Sequence, residues 1–159
     1  MAKTTPKDKS PSPIVNRKAR HDYEILETLE AGIALVGSEV KSVWGSRVNM
    51  VDAYCRVVGG ELWLMNLDIE PYSHASVYLP DRRRDRKLLV HKRQIIDLER
   101  KVDAKGYTLV PLRIYFKNGK VKVEIGIARG RRQYDKRHQL QQEETRREMQ
   151  AVKQRRAID

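Results

Sequence analysis

The side chains with most chemistry to offer in this chain are cationic, and they come in runs. Arg82-Arg83-Arg84-Asp85-Arg86-Lys87 places five cations in six positions. Pro80 and Asp81 ahead of it mark a loop, and Leu88, Leu89 and Val90 behind it anchor that loop in a core. Such a run is either a solvated loop or a phosphate-binding surface. The apolar anchor gives the guanidinium groups a defined position and favours phosphate contact. A second run, Arg129-Gly130-Arg131-Arg132-Gln133-Tyr134-Asp135-Lys136-Arg137, gathers four arginines, a lysine and a tyrosine directly after the last strand-like segment. It reads either as a generic basic extension or as an arm aimed at a groove. Lys41 and Lys122 stand alone on polar faces of their segments and are simple phosphate-contact candidates.

Charge is distributed unevenly. Of the formal +12, residues 1–20 and residues 129–159 each supply +5, leaving +2 for everything between. A nearly neutral body with basic ends suits a polyanion, and nucleic acid is the usual one, since Lys and Arg contacts to phosphate release counterions.

Motifs for catalysis are missing in the forms that can be read locally. The chain has no Gly-Lys-Ser/Thr phosphate loop, no HExxH, no paired-cysteine motif and no Gly-x-Ser-x-Gly elbow. The histidines at 21, 74, 91 and 138 share no metal-ligand spacing, so neither a metal nor another cofactor is expected. His91 reads as an N-terminal residue of a helix. Cys55 is the single cysteine, which excludes an internal disulfide, fits a reducing compartment and suggests a small buried residue in a strand. No apolar run approaches the roughly 20 residues of a membrane helix, so a soluble, cytoplasmic protein is expected.

The elements that must position the cations are mostly strands. Val51–Val58 and Glu61–Ile69 flank Gly59-Gly60, and Thr108–Phe116 and Lys120–Ala128 flank Lys117-Asn118-Gly119; both are hairpin signatures. Along the last strand Val121, Val123, Ile125 and Ile127 alternate with Lys120, Lys122, Glu124 and Gly126, predicting one core face and one wet face. Tyr23, Ile25 and Leu29 form an earlier strand that Glu30-Ala31-Gly32 should break. Val40, Val43 and Trp44 predict a short helix capped by Ser38 and stopped by Gly45, and Ile95, Leu98 and Val102 predict another ending before Gly106.

A mainly β fold follows, a single domain of antiparallel strands with two or three short helices and a basic C-terminal tail. An OB-like β-barrel is the first choice, because closure removes strand edges; an open α+β sheet is the alternative. Residues 1–13, polar and carrying three prolines, are expected to be a disordered leader, and 14–128 the barrel. Residues 129–159 lack a continuous apolar stripe and are expected to be disordered when free and helical when docked. Two Trp, seven Tyr and one Phe are few for a protein that stacks successive bases, and Tyr54, Trp63 and Phe116 read as core, so recognition of folded RNA by shape is expected.

Six strings then fall in order along the chain: Asn16-Arg17-Lys18-Ala19-Arg20-His21-Asp22-Tyr23, Glu30-Ala31-Gly32, Gly37-Ser38-Glu39-Val40-Lys41-Ser42, Arg86-Lys87-Leu88-Leu89, Gly106-Tyr107-Thr108 and Tyr134-Asp135-Lys136-Arg137. Together they resemble the bacterial SsrA-binding protein family, SmpB, over nearly the whole chain. The resemblance implies an OB-like barrel that binds the tRNA-like part of transfer-messenger RNA and delivers it to stalled ribosomes. It is then a noncatalytic, monomeric adaptor. It implies that the barrel side holding Asn16, Glu30, Leu89 and Lys122 contacts the RNA; Arg17, Lys18, Lys41, Arg86 and Lys87 are further RNA-binding candidates on their charge. It also implies that a tail led by Arg129, Arg131, Arg132, Tyr134, Asp135, Lys136 and Arg137 enters the empty decoding site and messenger channel.

Glu30 suits an RNA face only if its carboxylate accepts from base or hydroxyl donors; otherwise it is a structural carboxylate holding the turn at Gly32. Glu124 faces outward where a cation is expected. The rival readings are a generic ribosomal or single-strand OB protein, which needs more exposed aromatics, and a nuclease, which needs clustered carboxylates for a metal.

Overall fold

A computed structural model describes residues 9–74, 79–130 and 144–155. The two hairpins form where their turns predict. Strand β4 (Tyr54–Val58) turns through Gly59 and Gly60, at φ of 58° and 74°, into β5 (Glu61–Met65). Strand β8 (Thr108–Lys117) turns through Asn118 and Gly119, at φ of 52° and 74°, into β9 (Lys120–Gly130), which pairs Lys117 with Lys120 and Tyr115 with Lys122. Two consecutive positive φ angles are what a type I′ turn demands, and Asn and Gly tolerate them best.

The remaining long strand, β2 (Tyr23–Ile33), pairs with β9 on one side and with β7 (Arg86–Leu89) on the other. With β1 (Ile14–Val15), the antiparallel order is β1-β8-β4-β5-β7-β2-β9, and β9 returns to β8. The seam between β4 and β8 rests on one pair, Cys55 with Leu109, so the barrel is only partly closed and OB-like. Strands β3 (Val48–Asn49) and β6 (Asp68–Ile69) pair in a separate ribbon.

Leu62, Leu64, Leu88, Leu98, Leu109, Ile114, Val123 and Ile125 fill the interior, and Cys55 is buried among them with its thiol pushed strongly upward by desolvation. The alternation along β9 therefore holds, but its outer face is wet only as far as Glu124. Helix α1 (Arg17–Asp22), which periodicity did not reveal, lays Ala19 over Val110, Leu112 and Ala128 as a second small core. Gly126 belongs there because an added Cβ would stand 3.0 Å from Leu112 Cδ1.

Other boundaries move for local reasons. β2 continues unbroken through Glu30-Ala31-Gly32, because strands pair with it on both sides there, Gly32 lying opposite Leu89 of β7 and Lys122 of β9. Helix α2 (Gly37–Trp44) begins before Ser38, at an N-cap of Val36 whose N–H donates to Glu39 Oε1 at 3.1 Å. It ends at Gly45 with ordinary negative φ, and Ser46 takes the left-handed conformation. Helix α3 (Lys92–Lys105) has His91 as N-cap, its N–H donating to Gln94 Oε1, and ends at Gly106 with φ 65°. Helix α4 spans 144–155 with every residue exposed.

Candidate nucleic-acid interface

Gly32 is the pivot of one barrel face. It pairs with Leu89 on β7 and with Lys122 on β9, so those side chains and that of Glu30, two residues back along β2, emerge on the same surface. They line an open cleft of about 630 Å³ together with Lys87 and His91. Leu89 is 55% exposed although it sits on a short strand in the sheet. Its Cβ would lie 3.2 Å from a Cβ on residue 32, so glycine there lets the leucine rest against backbone. Sequence reasoning thus named four residues, Glu30, Lys87, Leu89 and Lys122, that the fold brings to one cleft.

Glu30 holds no turn. Its carboxylate accepts a hydrogen bond from the Tyr115 hydroxyl and lies 3.3 Å from Lys117 Nζ. The Tyr115 bond first, then Lys117 and the more distant Lys122, keep the Glu30 carboxyl below its ordinary range. Tyr115 is pushed up to about 12 by burial and by that anionic neighbour. Beside them Glu124 accepts from Arg113, whose guanidinium stacks 4.7 Å over the Tyr115 ring, and Arg20 approaches Glu124 at 3.8 Å. The outward carboxylate of Glu124 is therefore already compensated by two arginines. Tyr115, Lys117 and Arg113 were not singled out from sequence. The signal was available in the register that Asn118-Gly119 imposes, which places Tyr115 opposite Lys122 and Arg113 opposite Glu124.

Two candidates are corrected. Arg86 is fully buried, with 0% exposure. Its Nε and Nη2 donate to Glu39 Oε2 at 2.8 and 2.5 Å, and its Nη atoms donate to the carbonyls of Leu67, Arg84 and Arg82. Burial presses the Arg86 pKa down and Glu39 opposes that shift. For Glu39, burial acts upward, but bonds from Arg84, the Val36 N–H and Arg86 outweigh it and its carboxyl stays low. The rest of the basic run is ion-paired as well, though Arg82, Arg83 and Lys87 stay about half exposed: Arg82 binds Asp68 at 2.7 Å, Arg83 stands 3.9 Å from Asp68, Arg84 binds Glu39, and Lys87 reaches Glu61 at 3.1 Å. The densest charge in the body is an ion network fastening the β6–β7 connection to α2, because β6 and α2 present carboxylates there.

Asn16 is the second correction. It is buried; Nδ2 donates to the carbonyls of Pro111 and Met50 at 2.9 and 3.3 Å, and Oδ1 accepts from the Ala19 N–H as the N-cap of α1. Both ends of its amide are used within the protein, so its work is to fix α1 on β8. Arg17 and Lys18 are exposed on α1, and Lys41 on α2 stands 5.2 Å over the Tyr72 ring; none of the three lines the cleft.

Arg129 lies within β9, ion-paired to Glu24, so the last strand runs past Ala128 to Gly130 and Arg129 belongs to the sheet. Arg131, Arg132, Tyr134, Asp135, Lys136 and Arg137 lie outside the described residues, as do residues 1–8 of the leader. Among the described residues, no three His, Cys, Asp or Glu side chains come together where they could hold a metal, and no helix is long and apolar enough to cross a membrane.

Comparison with known proteins adds a family to this geometry. The family model described as SmpB protein matches residues 13–155. An SsrA-binding protein of Ligilactobacillus salivarius is 50% identical over 149 residues, covering 94% of this chain and 95% of the relative. That of Thermosynechococcus vestitus is 52% identical, covering 88% and 93%. A solved structure described as "tmRNA-SmpB: a journey to the center of the bacterial ribosome" superposes with a TM-score of 0.64 at 54% identity, over 74% of this chain and 83% of that one.

Proposed function

The chain belongs to the SmpB protein family, and on that premise we propose that it is an RNA-binding adaptor for ribosome rescue. It binds the tRNA-like part of transfer-messenger RNA and brings that RNA to ribosomes stalled on messages without a stop codon. The observation that carries this reading is the cleft where Glu30, Leu89 and Lys122 converge around Gly32. It offers an acceptor, an exposed apolar side chain and a cation within one surface. Such a mixture suits a folded RNA that presents donors, ribose and phosphate together better than it suits a uniform polyanion. The curated relatives are named for SsrA binding and the solved neighbour for tmRNA and the ribosome, which supports the same partners here.

The tail supplies delivery. Arg131, Arg132, Tyr134, Asp135, Lys136 and Arg137, with α4 behind them, enter the vacant decoding site and messenger channel. The exposure of every residue of α4 supports a segment that finds its packing partner outside this chain. The protein acts as a cytoplasmic monomer, without chemistry of its own. The reading is tested by competition binding at physiological salt: transfer-messenger RNA is held at least a hundredfold more tightly than an unrelated hairpin of equal length, and equal affinity for the two overturns the proposal.

A further inference from the structure

We propose that Tyr115 is a positioning residue for RNA recognition, locking the Glu30 carboxylate so that its unused lone pairs accept from a neutral donor group of the RNA. This inference rests on the cleft being the RNA face. Of the two carboxylates that line the cleft, Glu61 is ion-paired to Lys87, and Glu30 meets Tyr115 and Lys117 but no guanidinium; Glu124, opposite Glu30 on β9, is taken by Arg113 and Arg20. An ionised carboxylate has about four acceptor sites. The Tyr115 hydroxyl and Lys117 Nζ occupy the side facing β8, both approaching Oε2, while Oε1 is met only by Lys117 at 3.3 Å. The Glu30 side chain remains 39% exposed. Outward-facing lone pairs on Oε1 are therefore available, and a phosphate cannot use them.

Only a donor can. Folded RNA offers two classes at such a surface, the N–H and exocyclic amine donors of its bases, guanine's N1–H and N2 amine lying side by side on one edge, and the ribose 2′-hydroxyl. Glutamate side chains are free to rotate, and an unrestrained carboxylate loses entropy when it meets a donor. Tyr115 removes that freedom beforehand. Its ring is itself fixed, covered by the Arg113 guanidinium and held opposite Lys122 in the hairpin register. The lock thus traces to the Asn118-Gly119 turn.

The experiment compares the full-length wild-type protein with Tyr115→Phe, Glu30→Gln and the double variant, binding the tRNA-like domain of transfer-messenger RNA. Three transcripts are used: unmodified, with guanosine replaced by inosine, and with 2′-deoxyribose at the nucleotides the protein protects. Tyr115→Phe keeps the ring and its packing and removes only the hydroxyl. It is expected to weaken binding of the unmodified RNA about fivefold to tenfold. The salt dependence stays unchanged, since no phosphate contact is lost. The double variant binds no worse than Glu30→Gln alone. Loss of the Tyr115→Phe effect on inosine RNA assigns the donor to the guanine amine, and its loss on 2′-deoxy RNA assigns it to ribose. A defect that persists on both altered RNAs assigns the donor to a base N–H other than the guanine amine. The inference is overturned if Tyr115→Phe matches wild type on unmodified RNA, if the double variant binds worse than Glu30→Gln alone, or if Tyr115→Phe lowers the salt slope. Failure of wild type to prefer this RNA over an unrelated hairpin overturns the adaptor reading itself, a result separable from the others because it needs no variant.

Discussion

Arg86→Ala separates a structural guanidinium from an RNA-binding one. The fully buried guanidinium makes bonds to Glu39 and to three backbone carbonyls. Its removal leaves Glu39, only 3% exposed, with less compensation and orphans acceptors in the β6–β7 connection. Breaking a buried pair from one side costs about 3–5 kcal/mol, a large share of the roughly 5–15 kcal/mol that holds a domain together. In a body of this size 1 kcal/mol corresponds to about 3–5 °C, so the melting temperature should fall by about 9–25 °C. Folded Arg86→Ala, assayed well below its melting point, should bind transfer-messenger RNA with unchanged salt slope. Glu39 adds a pH signature. Its folded carboxyl lies below its ordinary range, so the stability it contributes is present above the unfolded value near 4.5 and is lost as pH falls through the lower folded value. In Glu39→Gln the acid limb of the stability profile should accordingly flatten. Calorimetry across pH, with filter binding across salt, checks both. An unshifted melting temperature with a salt slope lowered by about one would refute the buried-network account and return Arg86 to the RNA surface.

Lys122→Ala should do the opposite, leaving the melting temperature within about 1 °C, weakening RNA binding several-fold and lowering the salt slope by about one, as expected for an exposed phosphate contact; an unchanged slope removes Lys122 from the interface. Deleting residues 133–159 should leave affinity for the RNA within about threefold while abolishing tagging on stalled ribosomes in a reconstituted translation assay, since the cleft lies wholly within the body; loss of both activities together would show that the tail belongs to the RNA grip.

Periodicity and turn chemistry found the four hairpin strands and β2 because both are local, and left the short strands β1, β3 and β7, which have too few residues to show a repeat, unmarked. The positive φ angles at Gly59-Gly60 and Asn118-Gly119 could be expected from residue type alone, and they set the registers of both hairpins. The same local logic missed α1, a six-residue helix with no repeating stripe, and broke β2 at Glu30-Ala31-Gly32, whereas the strand runs on to Ile33. Gly32 is a weak strand former by itself, yet neighbours on both sides hold it extended.

By itself the sequence determined the family, the β-rich architecture and the charge division between body and ends, since these depend on residue type and on order along the chain. Through resemblance it placed Asn16, Glu30, Leu89 and Lys122 on one side of the barrel, and the fold brings the last three, without the buried Asn16, to one cleft. The tertiary structure alone decided which charges are free. Arg86 meets Glu39 across 47 positions, and Tyr115 meets Glu30 across 85. Whether a cation faces solvent or a buried carboxylate is set by which elements become neighbours, and electrostatic energy depends on distance through space, which a local pattern does not encode.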